Sequence, residues 1–397
     1  MKLVNQKTKK HVFIVGSKGI PASYGGFETF VENLTRKKKS ENIFYHVACI
    51  SSQSGCYEYN GARCFKVKVP QIGSAKAIYY DVKALSMCIA YCREHPDIEK
   101  PVFYVLACRI GPFIGWFQRE IRKIGGVLCV NPDGHEWKRK KWGFLTRKYW
   151  KFSERLMIKK ADLVICDSRC IEKYIKDEYK KYHPETLYLS YGSELSRECS
   201  VENDRKYAAW LEKNQLKAGE YYLIVGRFVP ENNFYTITRE FMKSETKRSL
   251  AIITTKDNRF MKTLNEKLGF ETDDRIKFVG TIYDQELLTR IRREAYAYIH
   301  GHEVGGTNPS LLEALGHTNI NLIFDVEFNR EVALDAAFYW DKEEGNLASL
   351  IHRVEELTQD EILQIGEKAG KRISDDYRWD MIVSGYEEVF ENTGENK

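Results

Sequence analysis

Short apolar runs alternate with longer amphipathic stretches along most of the chain. Val12–Val15, Tyr45–Ile50, Val102–Ala107, Val127–Val130, Leu163–Cys166 and Leu187–Leu189 have the length and apolar character of buried strands. Between them, Phe27–Lys38, Ala75–Arg93, Pro112–Lys123, Gly143–Lys160 and Ile171–Lys180 read as helices. Such βαβ alternation predicts a mostly parallel sheet covered on both faces. From Gly192 to Asp204 the chain is polar and weakly patterned, with a helix-start signature, and then the alternation begins again. The second series of strands is Tyr222–Val225, Leu250–Thr254, Ile276–Val279, Ala297–His300 and Leu322–Phe324. The expected architecture is α/β: two Rossmann-like, doubly wound domains, 1–195 and 196–375, facing each other across a cleft. The amphipathic stretch Trp379–Phe390 predicts a last helix, within 376–397, that packs back on the first domain.

Composition narrows this little. Hydrophobic residues at 43% and aromatics at 13% exclude a disordered chain, and 397 residues suffice for two domains with substantial cores. The net charge of +6 is mild, so the distribution of charge matters more than its sum. All ten cysteines lie between Cys49 and Cys199 with no Cys-x-x-Cys pair, which suits reduced, buried thiols in a cytoplasmic protein better than zinc or disulfides. The apolar run after the basic start ends at Val15, too short for a signal segment, and Phe103–Phe117 is interrupted by Arg109 and Pro112. The expectation is a protein that does not cross a membrane.

In open α/β sheets, ligands bind beyond the carboxyl ends of the strands. The most informative loop follows Ala297–His300: His-Gly-His-Glu-Val-Gly-Gly-Thr-Asn-Pro-Ser-Leu-Leu-Glu from His300 to Glu313. Pro309 stands where a first helical residue belongs and Asn308 where its cap belongs. Glycines 301, 305 and 306 allow close backbone approach. A helix N-terminus behind a glycine-rich loop is an anion site. Glu313, one turn beyond Pro309, can accept from a sugar hydroxyl beside a bound phosphate. Gly226-Arg227 ends another strand, where a guanidinium can grip a pyrophosphate, and Lys256 occupies the equivalent place one strand away.

In the first domain, Gly16–Gly26 is a long glycine-rich loop before a helix, without the spacing of a dinucleotide fingerprint or a P-loop. Asn-Pro-Asp-Gly-His-Glu-Trp, 131–137, places Asp133, His135 and Glu136 at a strand end, where they can orient a hydroxyl or move a proton. Neither His135-Glu136 nor His302-Glu303 has the spacing of a metal site, and no metal is expected. From Lys138 to Lys160 basic residues alternate with aromatics. That pattern suits either an anionic bilayer surface or a solvated helix with one core face; nucleic acid fits worst, since no binding motif accompanies the charge.

Together these features resemble the retaining nucleotide-sugar glycosyltransferases of the GT-B fold. More narrowly, Gly16–Thr29, Pro132–Trp137, Gly226–Asn233 and His300–Leu315 resemble the bacterial β-1,4-rhamnosyltransferases of capsule and cell-wall polysaccharide synthesis. By that resemblance Arg227 binds the donor diphosphate, Glu313 the (deoxy)ribose, and Gly305, Gly306, Thr307 and Asn308 the phosphates, with Gly25 and Gly26 also on the donor. Asp133, His135, Glu136, His300 and His302 would lie near the sugars, and His135, Arg227 and Asp133 would carry the chemistry. Two positions depart from the wider family: Gly305 stands where a first glutamate is usual, and Asn232-Asn233 where a lysine is usual. The implied reaction transfers L-rhamnose from dTDP-β-L-rhamnose, with retention and without a cofactor. The implied acceptor is an undecaprenyl-diphosphate-linked saccharide, with glucose as the expected sugar, at the cytoplasmic face of the membrane. The rival readings are another donor such as UDP-glucose, a nucleotide-sugar epimerase, and a non-catalytic partner in a polysaccharide-making complex.

Overall fold

The computed structural model describes residues 9–22, 25–139, 141–195, 200–255 and 258–394. The chain forms two compact units. The first holds the described residues up to Lys138, then Trp142–Tyr191, and those from Trp379 onward. The second holds Arg139 and Lys141 with the described residues of Gly192–Arg378.

The first unit contains strands β1 (Lys10–Val15), β2 (Ile43–Ser51), β3 (Gly55–Tyr59), β4 (Ala62–Lys68), β5 (Val102–Leu106), β6 (Val127–Asn131), β7 (Leu163–Cys166) and β8 (Thr186–Tyr188). Its helices are α1 (Gly26–Arg36), α2 (Lys76–Glu94), α3 (Gly111–Lys123), α4 (Phe144–Lys160) and α5 (Arg169–Glu178). The sheet order is β3-β4-β2-β1-β5-β6-β7-β8, parallel except for β3 against β4. Every residue of β5 is buried, as a strand with helices on both faces requires. The β3–β4 hairpin is absent from the reading by apolar runs, because β3 is a partly exposed edge strand with no apolar stripe. Its turn, Asn60-Gly61, has both residues at positive φ (52° and 68°), the backbone that a two-residue hairpin demands.

The second unit contains α6 (Val201–Asn214), β9 (Tyr221–Val225), α7 (Phe234–Lys243), β10 (Ser249–Ile253), α8 (Asn258–Leu268), β11 (Ile276–Gly280), α9 (Gln285–Arg293) and β12 (Ala297–His300). It continues with α10 (Pro309–His317), β13 (Ile320–Phe324), α11 (Glu327–Ala333), β14 (Phe338–Trp340), α12 (Asn346–Glu355) and α13 (Gln359–Asp376). Its parallel sheet runs β11-β10-β9-β12-β13-β14, so β9 and β12, distant in sequence, are neighbours. Their carboxyl ends therefore present Gly226-Arg227 and the His300 loop side by side.

The last helix, α14 (Trp379–Asn392), packs within the first unit. Glu387 accepts from the backbone N–H groups of Lys39 and Ser40 at 2.8 and 3.1 Å, capping the end of the α1 segment. Tyr386 and Phe390 are fully buried, and the Tyr386 ring lies 4.9 Å from that of Phe30. Among the described residues no helix is long and apolar enough to cross a membrane. Of the nine described cysteines, all but Cys56 and Cys170 are buried, and none is in a disulfide.

Candidate functional site

In the second unit, two hydrogen bonds tie the loop after β9 to the loop after β12, and two more brace those loops, one within the first and one from α11 to the second. Asn232 donates its side-chain amide to the Arg227 carbonyl (2.8 Å), and Asn233 donates to the Gly301 carbonyl (2.9 Å). The Glu303 N–H donates to the Glu231 carbonyl (3.0 Å), and Asn329 to the His302 carbonyl (3.0 Å). Gly301 is obligatory, because a Cβ there would lie 2.3 Å from the Asn232 carbonyl oxygen. Where the resembled family has a lysine, Asn232 and Asn233 thus tie the loop and supply no charge. Lys256 lies outside the described residues.

Behind this loop, Asn308 caps α10 by accepting from Ser310 N–H (2.9 Å), and Pro309 opens the helix. Pro309 has no N–H, Ser310 donates to the Asn308 side chain, and Leu311 and Leu312 donate to the Asn308 carbonyl at 3.0 and 3.1 Å, so what the helix start brings to the loop is the positive end of its dipole. Gly306 and Thr307 are buried, and Gly305 is half-buried. The Tyr298 hydroxyl is 2.9 Å from the Ser310 hydroxyl and donates to the Val225 carbonyl at 3.1 Å, fixing the helix start against the end of β9. Glu313, on the next turn, is ion-paired to Arg292 of α9 at 2.5 Å. Arg227 is exposed and makes no hydrogen bond or ion pair through its side chain among the described residues.

His300 and His302 form a stacked pair, ring centroids 4.4 Å apart. His300 is buried, and neither ring nitrogen has a partner among the described residues. Burial pushes His300 down to about 3. Burial, then the neighbouring His300 and Arg227, hold His302 well below the ordinary histidine range. Both are neutral imidazoles at neutral pH, and only His302 is partly accessible.

In the first unit, the Gly16–Gly26 loop is held by two carboxylates of α1. Glu28 accepts from Lys18 N–H (2.7 Å), and Glu32 from Ala22 N–H (2.6 Å) and the Tyr59 hydroxyl (2.8 Å). Gly25 and Gly26 form the start of α1. At Gly25 φ is +132°, and a Cβ would fall 1.9 Å from the Glu28 carboxylate. These two glycines therefore shape a loop of the first unit, whereas Arg227, Gly305, Gly306, Thr307, Asn308 and Glu313 gather in the second.

At the end of β6, Asp133 and His135 both adopt the left-handed region (φ 58° and 47°), rare for residues with a Cβ. Asn131 stabilises this turn by accepting from Asp133 N–H, and Asp133 accepts from Gly134 N–H, each at 2.8 Å. Glu136 accepts from the Trp142 indole at 2.8 Å. The His135 ring rests 4.3 Å from that of Tyr174. Beside it, Lys151 lies 4.8 Å from the Trp137 and Tyr174 ring centroids and 5.0 Å from that of Tyr179. Its ammonium also pairs with Glu178 at 2.8 Å. Burial, then Lys138 and Lys151, push His135 down to about 4.

The sequence reading missed three residues that this geometry makes prominent: Lys151, Arg292 and Asp81. Buried Asp81 pairs with Arg109 at 3.0 Å, and Arg109 also donates to the Gly16 carbonyl at 2.9 Å. Burial raises Asp81 to about 6 against the pull of Arg109. Apolar helix stripes carry no signal for such cross-helix pairs; a charged residue at a core position, as at Arg292, is the signal that exists. Among the described residues no group of three or more His, Cys, Asp or Glu is placed to hold a metal.

Two tandem α/β units built on largely parallel sheets, with the last helix returned to the first, define the GT-B fold. Residues 9–194 match the family model described as a domain of unknown function, DUF1972. A Methanocaldococcus jannaschii protein described as an uncharacterized glycosyltransferase is 23% identical over 92% of this chain and 95% of its own. Among solved structures, sucrose-phosphate synthase from Thermosynechococcus elongatus superposes with a TM-score of 0.78 at 16% identity, covering 97% of this chain and 99% of that one. Anabaena HepE in complex with UDP-glucose superposes at 0.69 with 13% identity, covering 96% and 99%.

Proposed function

We propose that the protein is a nucleotide-sugar glycosyltransferase whose second unit binds the donor and whose first unit binds the acceptor. The observation that carries this is the pairing, at the ends of neighbouring strands β9 and β12, of an exposed Arg227 with the capped start of α10 and the Glu313 carboxylate one turn on. Guanidinium and helix N-terminus suit a diphosphate, and a carboxylate suits a sugar hydroxyl. The relative from M. jannaschii, described as a glycosyltransferase, and the UDP-glucose complex of HepE point the same way.

The finer reading is transfer of L-rhamnose from dTDP-β-L-rhamnose to a lipid-diphosphate-linked sugar, glucose by preference, in a β1-4 linkage. Its support is the resemblance of the loop strings and the absence of a carboxylate at Gly305, which fits a deoxysugar with fewer hydroxyls to recognise. The acceptor hydroxyl attacks the anomeric carbon on the face from which the diphosphate leaves. The C–O bond to the phosphate breaks as the new glycosidic bond forms, and a phosphate oxygen takes the proton. Arg227 and the positive end of the α10 dipole stabilise the charge that develops on the leaving group, which asks for no metal. Neutral His135 donates or accepts a hydrogen bond beside the sugar without carrying charge.

Attachment to the inner membrane face is part of the same proposal. Phe144 and Leu145 are 69% and 79% exposed at the start of α4, and Phe113 and Trp116 are exposed on α3, which packs against α4 through Ser153 and Gln118. With Lys148, Arg155, Arg119 and Lys123 on the same two helices, apolar and basic groups combine as an anionic bilayer favours.

The test is direct. Purified protein, dTDP-rhamnose and a glucosyl-diphosphate lipid are expected to give a rhamnosylated lipid and dTDP. No product with this donor, but product with UDP-glucose, would transfer the reading to the other donor. Conversion of a nucleotide sugar in the absence of acceptor would favour an epimerase.

A further inference from the structure

What fixes the carboxylate behind the α10 helix start comes from another helix. Arg292 of α9 is a charged residue with only 2% of its side chain exposed, and Glu313 retains 26%. A guanidinium so buried is stable only with an anion beside it, and Glu313 is the one acidic partner within ion-pair distance among the described residues. The contact is single-pointed. Nη2 of Arg292 meets Oε2 of Glu313 at 2.5 Å, while Nε of Arg292 has no partner. A forked, two-oxygen contact would be the stronger arrangement for stability alone; here Oε1 is left without a hydrogen bond among the described residues. The same wall is stiffened by Tyr298, which spans from the Val225 carbonyl to Ser310.

We propose that Arg292 is a positioning residue for ligand recognition: by holding Oε2 of Glu313, it leaves Oε1 for a hydroxyl of the nucleotide's own sugar. The second unit is then selective for nucleotides bearing that hydroxyl, and Arg292 sets the selectivity without touching the ligand. This rests on reading the second unit as the nucleotide-sugar site. A lysine at 292 would keep the charge but lose the fixed planar geometry, so it retains only part of the effect.

The experiment is calorimetric titration of dTDP and 3′-deoxy-dTDP, with UDP and 3′-deoxy-UDP in parallel, into the wild-type protein and the Arg292→Met, Arg292→Lys and Glu313→Gln variants. Thermal unfolding of each variant is recorded beside it. The wild type is expected to prefer the hydroxylated nucleotide by roughly tenfold or more, the size of a hydrogen bond to a charged group. Arg292→Met is expected to lose that preference through weaker binding of the hydroxylated nucleotide alone, with the 3′-deoxy form unaffected. Arg292→Lys should fall between, and Glu313→Gln should resemble Arg292→Met. If Arg292→Met folds poorly, the lysine and glutamine variants carry the same comparison. A preserved preference in the variants, or an equal loss for both nucleotides, would reduce the pair to a structural role and overturn the inference. A wild type that binds both nucleotides without preference would overturn it while leaving the nucleotide-site reading intact. Binding of neither nucleotide would defeat that reading and the inference with it.

Discussion

Arg227 stands exposed at the end of β9, and its worth lies in what it meets there. Hydrogen bonds to charged groups contribute about 1.5–3 kcal/mol, so Arg227→Ala is expected to weaken dTDP binding by roughly 10- to 100-fold while leaving the unfolding temperature unchanged. Titration calorimetry with a parallel melt checks both halves. His135 makes a different demand. Because burial, and then Lys138 and Lys151, hold it near 4, it stays neutral through the working range, and activity is expected to show no histidine limb near 6.5. Replacing Lys151 with Met removes one of the causes, so the His135 proton signal should titrate at a higher pH in NMR than in the wild type. Arg227, Glu313 and His135 were legible in the sequence because each follows a strand end or helix start that composition marks. Arg292, Lys151 and Asp81 were not, because their partners lie on other helices and no spacing rule connects them.

At the scale of elements, α10 links a cap to a ligand. Asn308→Ala removes the acceptor for Ser310 N–H, a loss of about 1 kcal/mol of helix stability. Nucleotide affinity is expected to fall along with the melting temperature, unlike in Arg227→Ala. The α3–α4 face carries a separate expectation: Phe144→Asp with Leu145→Asp should abolish co-sedimentation with vesicles containing phosphatidylglycerol while leaving nucleotide binding intact. Unchanged sedimentation would remove that face from membrane attachment. Alternation of strands and helices made most elements readable, with boundaries shifted by a few residues. The β3–β4 hairpin escaped because its outer strand is too polar for an apolar-run criterion, although Asn60-Gly61 marks its turn plainly.

For the whole molecule, buried histidines govern acid sensitivity. His46, His135 and His300 are held near 2, 4 and 3 by burial, against an ordinary value of 6.5. As pH falls below about 6.5, the unfolded chain takes up protons that the folded protein refuses, so stability is lost with acid. Asp81, raised to about 6, acts in the opposite sense between its ordinary value and that pH, since the folded protein keeps a proton the unfolded chain releases. His11 and His302, also lowered by burial, act with these histidines, and Glu154 and Glu387, raised by burial, act with Asp81; five histidines outweigh three carboxyls, and the urea midpoint is expected to drop from pH 7 to pH 5. His46→Phe, placed between aromatic neighbours such as Phe13 at 4.2 Å, should flatten that slope. A two-unit α/β architecture was readable from the periodicity, whereas the donor sugar was not, because specificity resides in side-chain contacts that a linear pattern does not encode.

The return of α14 to the first unit has a consequence for biosynthesis. Residues that line the first unit's interior, such as Phe30 and Tyr104, face Tyr386 and Phe390, which leave the ribosome only after the whole second unit has been made. The later-encoded unit can therefore reach its native state while its predecessor still waits for its final helix.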